Sequence, residues 1–184
     1  EQPSYLKGIT DDRIMCLVYD NKRHFLYIGT NGGGLNILDL NTKNIRLCDT
    51  SLHINRWIRA IHIDNTGRLW IGTSEGAFYY DVDRDQIIHV DIGFATHFPI
   101  NAFEEYNDHL FIGTSAGLIE YDMKLNKHQL FEQSNDLESN NIMSMVVGND
   151  QSLWFTTPKG LWRLNLKTRH LRNYTSFEGF HIGE

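Results

Sequence analysis

Four copies of one short design set the terms for this chain. An aromatic residue, an aliphatic or aromatic one, a small one and a threonine lead through a glycine-containing turn into an apolar run that stops at Asp or Asn. The copies are Tyr27-Ile28-Gly29-Thr30 to Asp39, Trp70-Ile71-Gly72-Thr73 to Asp81, Phe111-Ile112-Gly113-Thr114 to Asp122, and Trp154-Phe155-Thr156-Thr157 to Asn165. The leading aromatics fall 43, 41 and 43 residues apart. A fixed period of this size marks an architecture of stacked units, none of which can bury its apolar face alone.

Each unit reads as four short strands bounded by Gly, Asn or Asp. They fall at about 13–19, 24–30, 34–39 and 44–49, then 57–63, 68–73, 76–81 and 86–91. The third unit follows at 100–106, 109–114, 117–122 and 127–132, and the fourth at 142–147, 152–157, 160–165 and 170–175. Asn65-Thr66-Gly67 and Asn107-Asp108 sit between first and second strands, where tight hairpins want residues that tolerate positive φ. Gly34, Gly76, Gly117 and Gly160 open every third strand, which predicts a backbone angle or close approach that a side chain would block.

The first strands align Ile14, Ile58, Ile100 and Ile142 at one position, and Cys16, Ala60, Ala102 and Ser144 two residues on, expected on the same face. Leu17, Ile61, Phe103 and Met145 occupy the other face, so these strands are apolar on both sides. A short meander covered on both faces must stack on its neighbours. The expectation is an all-β fold, a β-propeller with four consecutive four-stranded antiparallel blades at about 13–49, 57–91, 100–132 and 142–175. Residues 1–12 and 176–184 are expected to belong to neighbouring blades, the whole chain being one propeller segment.

Composition narrows the chemistry. With 41% apolar and 22% charged residues the chain can bury a core. Its 17 basic and 23 acidic residues give −6, with no Lys/Arg cluster, so nucleic acid is not an expected partner. No apolar run approaches the roughly 20 residues of a membrane span. The nine histidines show no metal-ligand spacing; His24, His89, His109, His128 and His170 fall at strand edges or turns and read as solvated, while His62 lies on a first strand. No metal or cofactor is expected. Cys16 and Cys48 belong to inner and outer strands of one unit, about three strand spacings apart, and are expected to be free thiols. The run carries no Gly-x-Ser-x-Gly elbow, and the adjacent Glu104 and Glu105 point to opposite faces, so catalysis is not expected.

The repeated Trp-Ile-Gly-Thr to Gly-Leu to Tyr-Asp run, preceded by a segment such as Ile58-Arg59-Ala60-Ile61-His62-Ile63-Asp64 with Asn-x-Gly before the aromatic, resembles the two-component regulator propeller repeat. The fourth unit departs with Thr156 where the pattern has Gly, the second has Ala77 where Leu is usual, and the third lacks the Asn-x-Gly turn. The resemblance implies part of a larger, seven-bladed ring in the periplasmic sensor region of a hybrid two-component protein, followed in the parent by a membrane helix, a histidine kinase and a DNA-binding regulator. It further implies detection of polysaccharide-derived oligosaccharides and relay of the signal across the inner membrane, with homodimerisation or self-association through exposed blade edges.

Loops are where such a ligand would be met. The loops joining one blade's outer strand to the next blade's inner strand share an end with those between second and third strands. They supply His53, Arg56, Phe94, His97 and Asp136, with Trp57 just beyond; aromatic platforms with polar donors and acceptors suit an oligosaccharide. By strand pattern alone, Trp57 reads as core. An interaction propeller without a small ligand and a polysaccharide-acting propeller enzyme stay open as alternatives.

Overall fold

Turn chemistry, repeated four times, builds the strands of this protein. In the computed structural model, residues 8–48, 57–82, 84–93, 98–131 and 141–174 are described, and every regular element among them is a strand. The chain divides into two compact units, 1–100 and 101–184. The first holds a sheet of β1 (Ile14–Asp20), β2 (Phe25–Thr30), β3 (Leu35–Asp39) and β4 (Ile45–Leu47), and one of β5 (Ile58–Ile63), β6 (Leu69–Thr73), β7 (Gly76–Asp81) and β8 (Gln86–Val90). The second holds β9 (Ile100–Tyr106), β10 (His109–Thr114), β11 (Gly117–Asp122) and β12 (Lys127–Leu130), then β13 (Ser144–Gly148), β14 (Ser152–Thr157), β15 (Gly160–Asn165) and β16 (Leu171–Tyr174). Each sheet keeps sequence order with antiparallel pairing, the meander that the sequence predicts.

In the first three repeats the threonine closes the turn between second and third strands. The Thr30, Thr73 and Thr114 hydroxyls, all fully buried, donate to the carbonyls of Gly34, Gly76 and Gly117 at 2.9, 3.1 and 2.8 Å. Those glycines stand at φ +82°, +130° and +146°, a region that side chains disfavour. At the other end of the third strand, Asp39, Asp122 and Asn165 each accept hydrogen bonds from two following backbone N–H groups, and Asp81 accepts one from Arg84. Four residues further on, Lys43, Asp85, Asn126 and Arg169 all adopt positive φ and lead into the fourth strand.

The first-strand column behaves differently from its expectation. A register shift lies between Ile14 and Cys16 and another between Ile58 and Ala60. Ile14 and Cys16 therefore oppose the adjacent residues Thr30 and Gly29, and Ile58 and Ala60 oppose Thr73 and Gly72, which places isoleucine and small residue on opposite faces. The consequence is an interlock. A Cβ added to Gly29 would lie 2.4 Å from Cys16 Sγ and 2.6 Å from Ile58 Cγ2, so the isoleucine of the second sheet sits directly on the glycine of the first. Within the second unit, a Cβ on Gly113 would lie 2.7 Å from Ile142 Cγ2.

Around the first interlock, Tyr27, Leu35, Ile37 and Cys48 of one sheet pack with Leu69, Ile71, Tyr80 and Ile87 of the next. Around the second, Phe111, Leu118 and Phe131 pack with Met145, Leu153, Phe155, Trp162 and Leu164. The fourth strands, β4, β8, β12 and β16, are all shorter than expected, and β13 begins at Ser144 rather than 142. Ile142 is instead held by its backbone N–H, which donates to Thr114 O of the preceding sheet at 2.9 Å.

Candidate ligand-binding surface

Alternation along β5 decides where Trp57 goes. Ile58 takes the buried place over Gly29, so the preceding residue is turned away, and the Trp57 side chain is 54% exposed rather than in the core. Its backbone forms an isolated antiparallel bridge with Asn31, which ties the entry of the second sheet to the β2–β3 loop of the first. That loop, Asn31-Gly32-Gly33-Gly34, is one residue longer than its counterpart between Thr73 and Gly76.

Three side chains converge on Gly32. A Cβ there would lie 3.1 Å from Asp11 Oδ2, 3.3 Å from Arg13 Nη2 and 3.6 Å from Trp57 Nε1, and the residue has φ +123°, a backbone angle that favours glycine. The segment bearing Asp11 and Arg13 is pinned by Thr10, whose hydroxyl donates to Gly33 O at 2.7 Å and whose backbone N–H donates to Asn36 Oδ1 at 3.1 Å. Arg13 Nε and Nη2 donate to the two oxygens of Asp11 at 3.1 and 2.7 Å. The hydrogen bond from the guanidinium holds the Asp11 carboxyl below the usual carboxylate range, and the same bond raises Arg13. Both are charged at neutral pH.

An exposed indole beside an oriented ion pair offers an apolar face for the C–H side of a sugar ring and N–H and carboxylate groups for its hydroxyls. Of the residues expected at this end from the sequence, the structure places Trp57; His53, Arg56, Phe94, His97 and Asp136 lie outside the described residues. Asp11, Arg13 and Asn31 were not expected. The signal that could have found them is the extra glycine in the β2–β3 loop, which makes room for the segment before β1.

Two crevices lie at the opposite ends of their sheets, among the β1–β2-type and β3–β4-type turns. In the first unit, Arg23, Arg68, Tyr79 and Arg84 border a volume of about 340 Å3, with Arg68 Cζ 4.7 Å from the Tyr79 ring centroid. In the second unit, His109, Glu120, Lys127 and His128 border about 250 Å3. His109 stands at the start of β10 with its side chain 41% exposed, as expected for a strand edge, and its Nδ1 is 3.3 Å from Oε1 of the buried Glu120. No group of three or more His, Cys, Asp or Glu able to hold a metal forms among the described residues. Cys16 and Cys48 are free thiols; burial pushes the Cys16 thiol up to about 12, against a backbone hydrogen bond from Gly29.

Comparison with known proteins adds the following. The family model described as two component regulator propeller matches residues 52–75. The chain is 26% identical over 196 residues to Histidine kinase P4 of Formosa agariphila, covering 96% of this chain and 14% of that protein. It also resembles the extracellular domains of two putative hybrid two component systems from B. thetaiotaomicron, BT4673 and BT3049. The identities are 23% and 20%, with TM-scores of 0.76 and 0.77, covering 94% of this chain in each case and 22% and 25% of those chains. The chain thus spans about a seventh of the curated relative and about a quarter of the solved domains. Its four sheets are β-propeller blades, and the match to the two-component regulator propeller repeat falls on residues 52–75.

Proposed function

We propose that this chain is part of the periplasmic, non-catalytic sensor propeller of a hybrid two-component protein, and that the loop end bearing Trp57 meets polysaccharide-derived oligosaccharides. The observation that carries the reading is the exposed Trp57 beside the Asp11–Arg13 pair and the glycine loop. Support for the setting comes from the histidine kinase relative and the extracellular domains of similar fold. His53, Arg56, Phe94, His97 and Asp136 belong to the same proposed surface through their loops.

Relay to the kinase needs a ligand that binds two arrangements of the sensor with different affinity. A glycan bridging Trp57 and the loops joining successive blades supplies that difference if those loops shift between arrangements. The test is calorimetric titration of the intact ectodomain with oligosaccharide fractions of several polysaccharides, followed by Trp57→Ala. Binding of one fraction that drops by about tenfold or more in the variant supports the reading, since stacked aromatic contacts contribute about 1–2 kcal/mol. Binding unaffected by Trp57→Ala moves the site elsewhere, and no binding by any fraction favours an interaction propeller.

A further inference from the structure

No run of basic residues marks the first unit, yet its turns gather four of them. The crevice of about 340 Å3 there is bordered by Arg23 from the β1–β2 turn, Arg68 from the β5–β6 turn and Arg84 from the β7–β8 turn. Lys22 stands beside Arg23, since a Cβ on Gly67 would lie 3.6 Å from Arg23 Nη1 and 4.0 Å from Lys22 Nζ. The three aspartates close by are engaged by their own turns. Asp20 accepts from the backbone N–H groups of Lys22 and Arg23 and from Arg23 Nη1. Asp64 accepts from the backbone N–H groups of Thr66 and Arg68, the Thr66 hydroxyl and Trp70 Nε1. Asp81 accepts from the backbone and the guanidinium of Arg84. Four basic side chains against three acidic ones make this crevice positive on a chain of formal charge −6.

Arg68 is held ready for an anion. Its Cζ lies 4.7 Å from the Tyr79 ring centroid and 5.7 Å from that of the fully buried Trp70. A guanidinium held by its face keeps its N–H edge for the two oxygens of a carboxylate or sulfate. Among the described residues no acidic side chain pairs with it. The third sheet supplies the contrast. In the repeat, Arg68 and Tyr79 correspond to His109 and Glu120. There the Glu120 carboxylate is met by His109 Nδ1 at 3.3 Å, Gln129 Nε2 at 2.9 Å and Arg169 Nη2 at 2.6 Å. The third sheet thus carries its own carboxylate among its donors, whereas the second has an aromatic ring at that place and an arginine beside it.

We infer that this crevice binds a compact oxyanion, a carboxylate or a sulfate, with Arg68 as the bidentate donor and Lys22, Arg23 and Arg84 as flanking charges. Its volume lies at the lower end of the roughly 300–1,000 Å3 of ligand pockets, which admits the anionic group together with one sugar unit that carries it. A uronate, a sulfated sugar and the free inorganic ion all present the group that the arginines recognise. Arg23 Nη1 also reaches Gly67 O at 3.4 Å, so an anion seated here joins the β1–β2 turn of the first sheet to the β5–β6 turn of the second. The site stands at the other end of its sheets from Trp57 and does not rest on the reading of that surface.

Calorimetric titration of the intact ectodomain tests this, with sodium sulfate, sodium glucuronate and neutral glucose as probes at one ionic strength. Sulfate and glucuronate are expected to bind and glucose is not. Arg68→Gln is expected to weaken both anions by about tenfold or more, and Arg84→Gln, where the side chain is 72% exposed, by about threefold. Lys159→Gln removes the same charge from the exposed β14–β15 turn and is expected to leave both affinities unchanged. Circular dichroism checks folding, and Arg84→Gln carries the test if Arg68→Gln, which uncovers Trp70, fails to fold. Glucuronate binding tighter than sulfate identifies the sugar-borne group as the ligand, and sulfate binding as tightly or tighter identifies the free ion. The proposal is overturned if neither anion binds, if glucose binds as tightly as glucuronate, if the arginine variants bind as the unmodified protein does, or if Lys159→Gln weakens binding as much as Arg84→Gln.

Discussion

The contact between the first two blades and the contact between the last two are the same in shape and opposite in charge. Ile58 on Gly29 and Ile142 on Gly113 repeat one steric solution. Asp85 on Arg46 and Arg169 on Glu120 repeat one ionic geometry with donor and acceptor exchanged. Shape is thus the part common to both contacts, and charge is the part free to differ. The ionic partners also differ in depth. Glu120 is 9% exposed and accepts from Arg169 and Gln129, whereas Asp85 is 52% exposed and shares Arg46 with Tyr80.

The largest effects are expected where the shape is broken. Gly29→Ala and Gly113→Ala push a methyl against Ile58 and Ile142, and each is expected to cost about 1–3 kcal/mol in urea unfolding. Ile58→Ala leaves a cavity instead, at about 2–4 kcal/mol. Thr156→Ala, at the equivalent place without a seated isoleucine, is expected to change stability by less than about 0.5 kcal/mol. Equal costs at Gly29 and Thr156 would show that the interlock is not what the glycine is for.

Next come the ion pairs, where depth predicts an asymmetry. Arg169→Ala leaves the Glu120 carboxylate buried with one cationic partner removed and is expected to cost about 2 kcal/mol. Asp85→Ala breaks a half-exposed pair and is expected to cost less than about 1 kcal/mol. The double variant Glu120→Arg with Arg169→Glu should recover part of its single-variant losses, measured as a coupling in a double-mutant cycle. An asymmetry in the reverse order would remove burial as the explanation.

Acid should sharpen the contrast within the first unit. Burial works against the Asp85 charge, but the hydrogen bonds of Tyr80 and Arg46 outweigh it, so its carboxyl stays below the ordinary range. Asp20 is lowered in the same way, burial being outweighed by Arg23 and the backbone N–H groups of Arg23 and Lys22. A depressed folded pKa means stability that is fully present above the unfolded value, about 4, and lost as pH falls through the folded value. Asp85→Asn and Asp20→Asn should each flatten the loss of stability measured below about pH 4. The smallest expected effect is Trp57→Ala, under about 0.5 kcal/mol in unfolding because the side chain is half in solvent, which separates its ligand role from its structural one.

Much of the architecture was legible because its causes are local. Threonine and glycine mark each turn into a third strand, Asp or Asn marks each exit, and the predicted strands match the observed ones to within a few residues, with the fourth strands least well placed. The candidate surface was less legible. Trp57 could be named, but its exposure depends on which neighbour drops into the space over Gly29, and Asp11 and Arg13 come from a segment whose docking on Gly32 no spacing rule announces. His109 could be placed at a strand edge, but not the buried Glu120 beside it.

By itself, the sequence determined the repeat, its strands and its turns, because hydrogen bonds from Thr and Asp side chains and the φ freedom of glycine act over four or five residues. Only the tertiary structure decided what each face of a sheet touches. The bulges after Ile14 and Ile58 turn the isoleucine and the small residue to opposite sides, so Ile58 seats on Gly29 of the sheet before while Ala60 faces the other way. That choice, and the charge meeting Arg46 or Glu120, depends on residues about 40 to 50 positions away, whose approach is set by packing and not by local preference.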